Sequence, residues 1–285
     1  MFNSTVLEVA VGLVFCYCAV SLIVSSINEA IASALSLRAS TLLAGIKALL
    51  NDPTFEGLAR DIYNHASVNP RDPGGARHES ELGNKPSYIP SLHFANALID
   101  VLQRSPAAAA QLDQTIAAIQ DPQLRQLLQG MYARAAGDLD KFRAELAAWF
   151  DNGMERVAGQ YKRRSQLICF VIALAIAALF NIDSFHLFRT LWEHPALALA
   201  IAAPSAADAT EALRSLQMLP IGWQSFPPAL GSRWEYLALF GGWLVTASTA
   251  LFGAPFWFDL LQNITQLRGT GKKPLSSLAQ KPDGK

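Results

Sequence analysis

The sequence has few charged residues and no excess of either sign. Only 16% of its 285 residues are charged, 23 basic side chains balance 23 acidic ones, and 51% of the residues are hydrophobic. A chain with so much apolar surface does not stay disordered, and a chain without a basic excess lacks the electrostatic footprint of a nucleic-acid-binding protein. The composition therefore predicts a folded protein that does not bind nucleic acid.

Residues typical of catalysis and metal binding are scarce or badly spaced. Cys16, Cys18 and Cys169 all fall in apolar stretches. A Cys-x-Cys pair on a helix points its thiols about 200° apart and chelates one ion poorly. No Gly-x-Ser-x-Gly and no His-Glu-x-x-His motif is present. We therefore predict no metal, no cofactor and no catalytic residues, although this does not by itself exclude an enzyme.

Three long apolar runs stand out against this background. A helix of about 20 apolar residues crosses a bilayer core of about 30 Å. Residues 9–27, 166–182 and 237–258 approach that length without an Asp, Glu, Lys or Arg, and strand patterns are almost absent elsewhere. We predict an all-α polytopic membrane protein with three transmembrane helices. A charge near the centre of a span is the usual mark of an ion or proton path, so a coupled transporter is disfavoured.

The first run has an alternative interpretation as a signal peptide. The small residues from Ala32 to Ala34 resemble a cleavage site. A signal peptide, however, begins with basic residues and has an apolar core of about 7 to 15 residues. The first eight residues carry no base and the run is longer, so an uncleaved transmembrane helix is favoured.

The distribution of lysine and arginine predicts the orientation of the spans. Residues 28–165 hold 15 of the 23 bases, the loop 183–236 holds three, and the tail 259–285 holds five. Cytoplasmic segments near the spans carry an excess of these residues. We expect residues 28–165 and the tail inside the cell. The N-terminus 1–8 and the loop 183–236 are then outside, the loop as a small periplasmic cap.

The predicted cytoplasmic segment is long enough for a helical domain with its own core. Helix patterns cover residues 35–50, the stretch from a capping Ser91 to Arg104, and an amphipathic stretch 138–161 that should run directly into the second span. Residues 68–90 are dense in Pro, Gly and charge. Their length marks either a flexible insertion or a contact loop.

Basic residues cluster on the predicted inner side of the second and third runs, where they set the topology and attract anionic lipid. The run Gly269 to Pro274 is not a phosphate loop, because Gln266 stands where such a loop needs its first glycine. Asp151 and Glu155 suggest ion pairs with Arg156 that orient their helix. The candidates for binding a ligand or a lipid headgroup are Arg156, Tyr161, Lys162, Arg163, Arg164, Lys272 and Lys273.

Small residues recur at every fourth position of the third run. They allow another helix to approach closely, as in the small-xxx-small pattern of membrane helices. The approaching helix belongs either to the same chain, which we favour, or to another subunit. The stripe consists of Ala238, Gly242, Thr246, Ala250 and Ala254.

Several stretches of this chain resemble an uncharacterised family of bacterial integral membrane proteins. They are WFDNGMERVAGQYKRRSQ from Trp149, GAPFWFDLLQNITQLRGTGKKP from Gly253, LPIGW from Leu219 and the opening SLIVSSINEAIASALSLRASTLLAGIKALL from Ser21. The resemblance implies a location in the bacterial inner membrane. It implies no activity and no catalytic residues.

Three functions remain open at this point. We favour a non-enzymatic membrane scaffold or accessory subunit whose cytoplasmic domain docks a protein partner. The first alternative is a homo-oligomeric pore, channel or permeabilising effector. The second is an enzyme that acts on lipid at the inner interface, where the bases around Arg163 would hold phosphate, but that enzyme has no identifiable nucleophile or base.

Overall fold

The computed structural model describes residues 5–104, 112–194, 221–223 and 231–269, with side chains as far as residue 264. All regular structure in these ranges is helical, which confirms the predicted all-α class for this part of the chain. One 3-10 turn covers Glu79–Glu81. The α-helices are α1 (Thr5–Ala34), α2 (Leu37–Leu49), α3 (Leu58–Tyr63), α4 (Ser91–Leu102), α5 (Leu112–Ala117), α6 (Pro122–Ala135), α7 (Leu139–Leu179), α8 (Ser184–Glu193), α9 (Arg233–Ala250) and α10 (Ala254–Gly269).

One described helix is long and apolar enough by itself to cross a bilayer. This helix is α1, which has 30 residues and no charged side chain between Glu8 and Glu29. The number of possible membrane spans among the described residues rises to three only if each of two bent helix pairs forms one span. The first pair is α7 with α8, bent by 55°, and the second is α9 with α10, bent by 91°.

The second and third apolar runs therefore do not form straight helices. Asn181 adopts a positive φ of 47° between α7 and α8, and Gly253 adopts a φ of 80° between α9 and α10. A positive φ ends a helix, and Pro255 has no N–H to continue one. The predicted third span over 237–258 is broken at this point, since α9 ends at Ala250 and α10 begins at Ala254.

The chain divides into two compact units. The first unit contains the described residues of 1–29 and 165–285, and the second unit contains those of 30–164. Two helices, α1 and α7, continue from one unit into the other. The amphipathic stretch 138–161 and the second apolar run are consequently parts of a single helix of 41 residues, α7.

The second unit has an apolar core made by one face of each of its longer helices. The faces follow the spacing of three and four residues that an amphipathic helix requires. Phe94 of α4 stacks on Phe150 of α7 with ring centroids 4.2 Å apart. The largest fully buried side chains of this core are Leu43, Ile46, Phe55, Ile62, Tyr63, Phe94, Leu98, Ile116, Leu128, Phe142, Leu146 and Phe150.

The segment between α3 and α4 is tied to the second unit by hydrogen bonds. The Asn64 side chain makes two hydrogen bonds with the backbone of Ala76, at 2.9 and 3.0 Å. The Asp72 carboxylate accepts three from backbone N–H groups of the same segment. Glu79 accepts from Lys47 at 3.0 Å and from Lys85 at 3.2 Å. These contacts make residues 68–90 a folded part of the unit.

Two helix starts illustrate how local chemistry sets element boundaries. Asp121 caps α6, because its carboxylate accepts the N–H of Leu124 at 2.6 Å and Pro122 occupies the first turn. The predicted cap at Ser91 is wrong. Ser91 is the first residue of α4, and the preceding Pro90 makes no side-chain capping bond.

Candidate functional site

A groove of about 660 Å³ opens on the surface of the second unit. Helices α2 and α7 form two of its walls, and the end of the loop before α4 forms the third. Its volume lies within the range of pockets that bind small molecules. The lining residues are Arg38, Thr41, Leu42, Ser87, Tyr88, Ile89, Phe150, Asp151, Met154, Glu155, Val157, Ala158 and Tyr161.

The helical period of α7 gives the groove an apolar floor and an acidic edge. Phe150, Met154 and Val157 recur at intervals of four and three residues, so they share one face of the helix. Phe150 is buried, and Met154 packs against the core. Asp151 and Glu155 are each one residue further on, and both are exposed. The carboxylates therefore stand beside the apolar face.

The two carboxylates at this edge have no partner among the described residues. Among the residues that the structure describes, neither Asp151 nor Glu155 makes an ion pair or a hydrogen bond through its side chain, so the predicted pairs with Arg156 are wrong. Like charges four residues apart destabilise a helix by about 0.2–0.5 kcal/mol. One base, Arg38, also lines the groove.

The basic residues predicted from the sequence do not converge on this groove. Tyr161 lines the groove and is partly buried, whereas Arg156 and residues 162–164 are exposed and do not line it. Successive residues of a helix point about 100° apart, so residues 162–164 spread around α7. Lys272 and Lys273 lie outside the described residues. Headgroup binding by these bases stays a prediction.

The small-residue stripe meets the turn between α7 and α8 within the first unit. A Cβ atom on Gly242 would lie 1.6 Å from the Asp183 Oδ1 atom, so this approach requires glycine. Ala238 is exposed. The predicted stripe is not carried by one helix, because Ala254 follows the bend and begins α10. Its buried members are Gly242, Thr246, Ala250 and Ala254.

Three hydroxyl groups meet beside that contact. Thr246 donates to the carbonyl of Ile182 at 2.7 Å, and its oxygen lies 2.7 Å from Ser184 Oγ. Tyr17 of α1 donates to the same Ser184 oxygen at 3.0 Å. In an apolar surrounding every freed backbone group needs a partner, so this cluster stabilises the break between α7 and α8. Sequence reasoning missed it because the three residues are far apart in the chain.

Ser67, His65 and Asp100 of the second unit are a serine, a histidine and an aspartate, the residue types of a hydrolase site. Ser67 Oγ lies 2.7 Å from His65 Nδ1, and His65 Nε2 lies 3.4 Å from Asp100 Oδ2. Ser67 also lines a cavity of about 450 Å³. The Ser67 N–H, however, donates to the same Nδ1 atom, which closes the turn after α3. Because the Asp100 side chain is 58% exposed, water screens its attraction to the imidazole. We assign the group a structural role.

Glu79 is one of the long-loop carboxylates whose pKa its neighbours shift. The hydrogen bond from Lys47, and then the contacts with Lys85, hold the pKa of the Glu79 carboxyl below its usual value. Burial raises the pKa of the Tyr63 hydroxyl, and the negative charge of Glu79 adds to this effect. These shifts belong to a structural ion-pair network outside the groove lining.

The groove is thus a concave surface of the second unit that combines an apolar floor with two carboxylates that have no partner among the described residues. Sequence reasoning missed it because its walls come from three separate segments. Within the described ranges no three His, Cys, Asp or Glu side chains are placed to hold a metal ion. The chain matches no protein-family model, no curated protein and no solved structure.

Proposed function

We propose that the protein is a non-enzymatic integral membrane scaffold, or an accessory subunit, whose second unit docks a protein partner. The groove is the observation that supports this function. Concave apolar surfaces with a few polar groups are typical of binding sites. The exposed ring of Tyr88 lines the groove, and the carboxylates at 151 and 155 have no partner among the described residues. The apolar helix α1 would anchor the docking surface at a membrane.

The proposal includes the topology expected from the distribution of bases. In it, the apolar runs over 9–27, 166–182 and 237–258 cross the bacterial inner membrane, residues 28–165 and the tail lie in the cytoplasm, and residues 183–236 form a periplasmic cap. Large apolar side chains exposed on α7 and α9 support lipid contact for the bent pairs, because exposing such side chains to water is unfavourable. They include Leu167, Val171, Leu179, Leu237 and Phe240.

Native mass spectrometry of the complex, extracted gently from its own membrane, tests the docking function. We would compare the wild type with Ala158→Trp, which fills the groove from an exposed position. The matched control is Asn152→Trp, because Asn152 is exposed on α7 and does not line the groove. We expect a foreign subunit in fixed ratio in the wild type and the control, and at least a tenfold loss in Ala158→Trp.

Two outcomes would contradict the docking function. A foreign subunit that is retained in Ala158→Trp would place docking elsewhere on the molecule. A closed ring of identical chains without a foreign subunit would favour the pore instead. Conductance of the purified protein in a planar bilayer would then be the next measurement.

A further inference from the structure

We propose that the groove binds a basic amphipathic segment of the partner protein. Apolar side chains of the segment lie on the groove floor, and a lysine or arginine lies against Asp151 and Glu155. The inference rests on the docking function proposed above and names the chemistry of the partner. It follows from the floor, the charge and the aromatic rings of the groove.

The floor selects for apolar side chains. Met154 and Val157, both partly buried, present carbon surface from α7, and Leu42 does the same from α2. A groove of about 660 Å³ is too small to enclose a domain, but it suits a few anchor side chains of one segment. Helical segments that bind in this way use apolar anchors spaced by three and four residues.

The edge selects for positive charge. Asp151 and Glu155 lie one turn apart, about 6 Å along the helix axis, and they repel each other without a partner among the described residues. A lysine or arginine between them would relieve that repulsion and contact both. The lining has two acids against one base, Arg38. An acidic segment or a phosphate would add to the repulsion at this edge.

The bases further along α7 do not cancel this preference. Lys162 lies seven residues beyond Glu155, which corresponds to about 10.5 Å along the axis. Charges in solution are screened over about 8 Å at physiological ionic strength. Neither Lys162 nor Arg156 lines the groove. The local charge that a bound side chain meets at this edge is therefore negative.

Two tyrosine rings add a second means of holding a cation. Tyr88 and Tyr161 both line the groove, and the Tyr88 side chain is exposed although its ring is apolar. Lysine and arginine are attracted to the faces of aromatic rings. Both rings line the same groove as the carboxylates of α7, so a base bound in this groove has aromatic faces as well as carboxylates available to it.

Photo-crosslinking from the groove tests the inference in the full-length chain. The probe is p-benzoylphenylalanine in place of Tyr88, with the same probe in place of the exposed Leu127 as the positional control. The protein is expressed in the membrane of its native host, and the crosslinked peptide is sequenced by mass spectrometry. We expect a peptide that combines apolar residues with lysine or arginine, captured from position 88 and not from position 127.

A charge series makes the result specific. Asp151→Asn with Glu155→Gln removes both charges at nearly constant shape, and we expect the yield from position 88 to fall about tenfold. The control pair is Glu56→Gln with Asp113→Asn, which changes the net charge equally at exposed acids outside the groove. We expect this pair to keep the wild-type yield. Asp151→Lys should lose capture and regain it when the base in the partner is changed to glutamate.

The outcomes separate this inference from the docking function. A captured peptide without lysine or arginine, or a yield unaffected by the loss of both charges, would overturn the inference while docking stands. A second copy of this chain, a crosslink to lipid alone, or no crosslink from position 88 would overturn both. Circular dichroism of each purified variant distinguishes a lost contact from a lost fold.

Discussion

Glu79 connects the long loop to α2 through Lys47 and also binds Lys85 within the loop. It accepts hydrogen bonds from Lys47 of α2 and from Lys85 near the end of the loop. Its side chain is 41% exposed, so solvent weakens both pairs, and each contributes at most about 1 kcal/mol. The pairs nevertheless hold the loop that ends in the Tyr88 wall of the groove.

We expect Glu79→Gln to lower the stability of the protein by about 0.5–1 kcal/mol at pH 7. The folded pKa of Glu79 is lowered, so its stabilising effect is present above the unfolded pKa of about 4.3 and disappears as the pH falls through the folded value. The difference between wild type and variant should therefore shrink below about pH 4.3. The thermal midpoint of the full chain in detergent, measured from pH 7 to pH 3, checks this.

Glu56→Gln is the control for this titration, because Glu56 is exposed and its side chain makes no described contact. Its midpoint should follow the wild type at every pH. A Glu79→Gln midpoint that stays below the wild type by the same amount at pH 3 would contradict the assigned ion pairs.

At the scale of elements, α2 and α7 approach each other closely because glycines lie at their contact. A Cβ on Gly45 would lie 2.6 Å from a Val157 methyl carbon, and a Cβ on Gly153 would lie 2.8 Å from a terminal carbon of Leu49. The side chains of Val157 and Leu49 differ in mobility. Valine is branched at Cβ and stiff at χ1, whereas the end of a leucine side chain moves at little cost.

We expect Gly45→Ala to lower stability and Gly153→Ala not to lower it. Replacing a helical glycine by alanine stabilises by up to about 1 kcal/mol, but forcing an extra carbon into a packed contact costs about 1–3 kcal/mol. Gly45→Ala should therefore destabilise by up to about 2 kcal/mol, while Gly153→Ala should be neutral or stabilising. Thermal unfolding of the full chain measures both. Equal effects would show that the α2–α7 contact is looser than described.

The two bent helix pairs show that a single residue can determine where a helix ends. The apolar runs over 166–182 and 237–258 have the composition of continuous spans. The break between α9 and α10 follows from Gly253 and Pro255, which the sequence displays. The break after α7 depends on Asn181, whose side chain accepts from the Trp243 indole at 3.3 Å. Only packing against α9 reveals this second break.

At the scale of the whole molecule, the proposed topology places two exposed serines on opposite sides of the membrane. Ser80 lies in the second unit, and Ser232 precedes α9. We expect Ser232→Cys to react with a membrane-impermeant maleimide in intact spheroplasts, and Ser80→Cys to react only after permeabilisation. The wild type gives the background, because Cys16 and Cys18 are buried and Cys169 is partly buried. The reverse labelling pattern would invert the proposed orientation.

Local signals in the sequence account for the helical class and for the position of the apolar runs. Periods of three and four residues and the length of an apolar run depend on neighbours in the chain, so they can be read without a structure. The amphipathic face of Phe142, Leu146 and Phe150 is an example, since all three are buried. Helix caps were less predictable. Serine is a common N-cap residue, but Ser91 is the first residue of α4 and does not occupy the cap position.

The groove and the buried hydroxyl cluster depend on contacts between distant segments. Arg38, Tyr88 and Asp151 line one groove although some fifty or more positions separate each from the next, and Tyr17 meets Ser184 across 167 positions. No pattern of neighbouring residues encodes such a meeting, because it results from which helix faces bury each other. Composition and periodicity thus determine an all-helical chain with apolar runs. The packing of α2, α7 and the loop decides where its candidate docking surface lies.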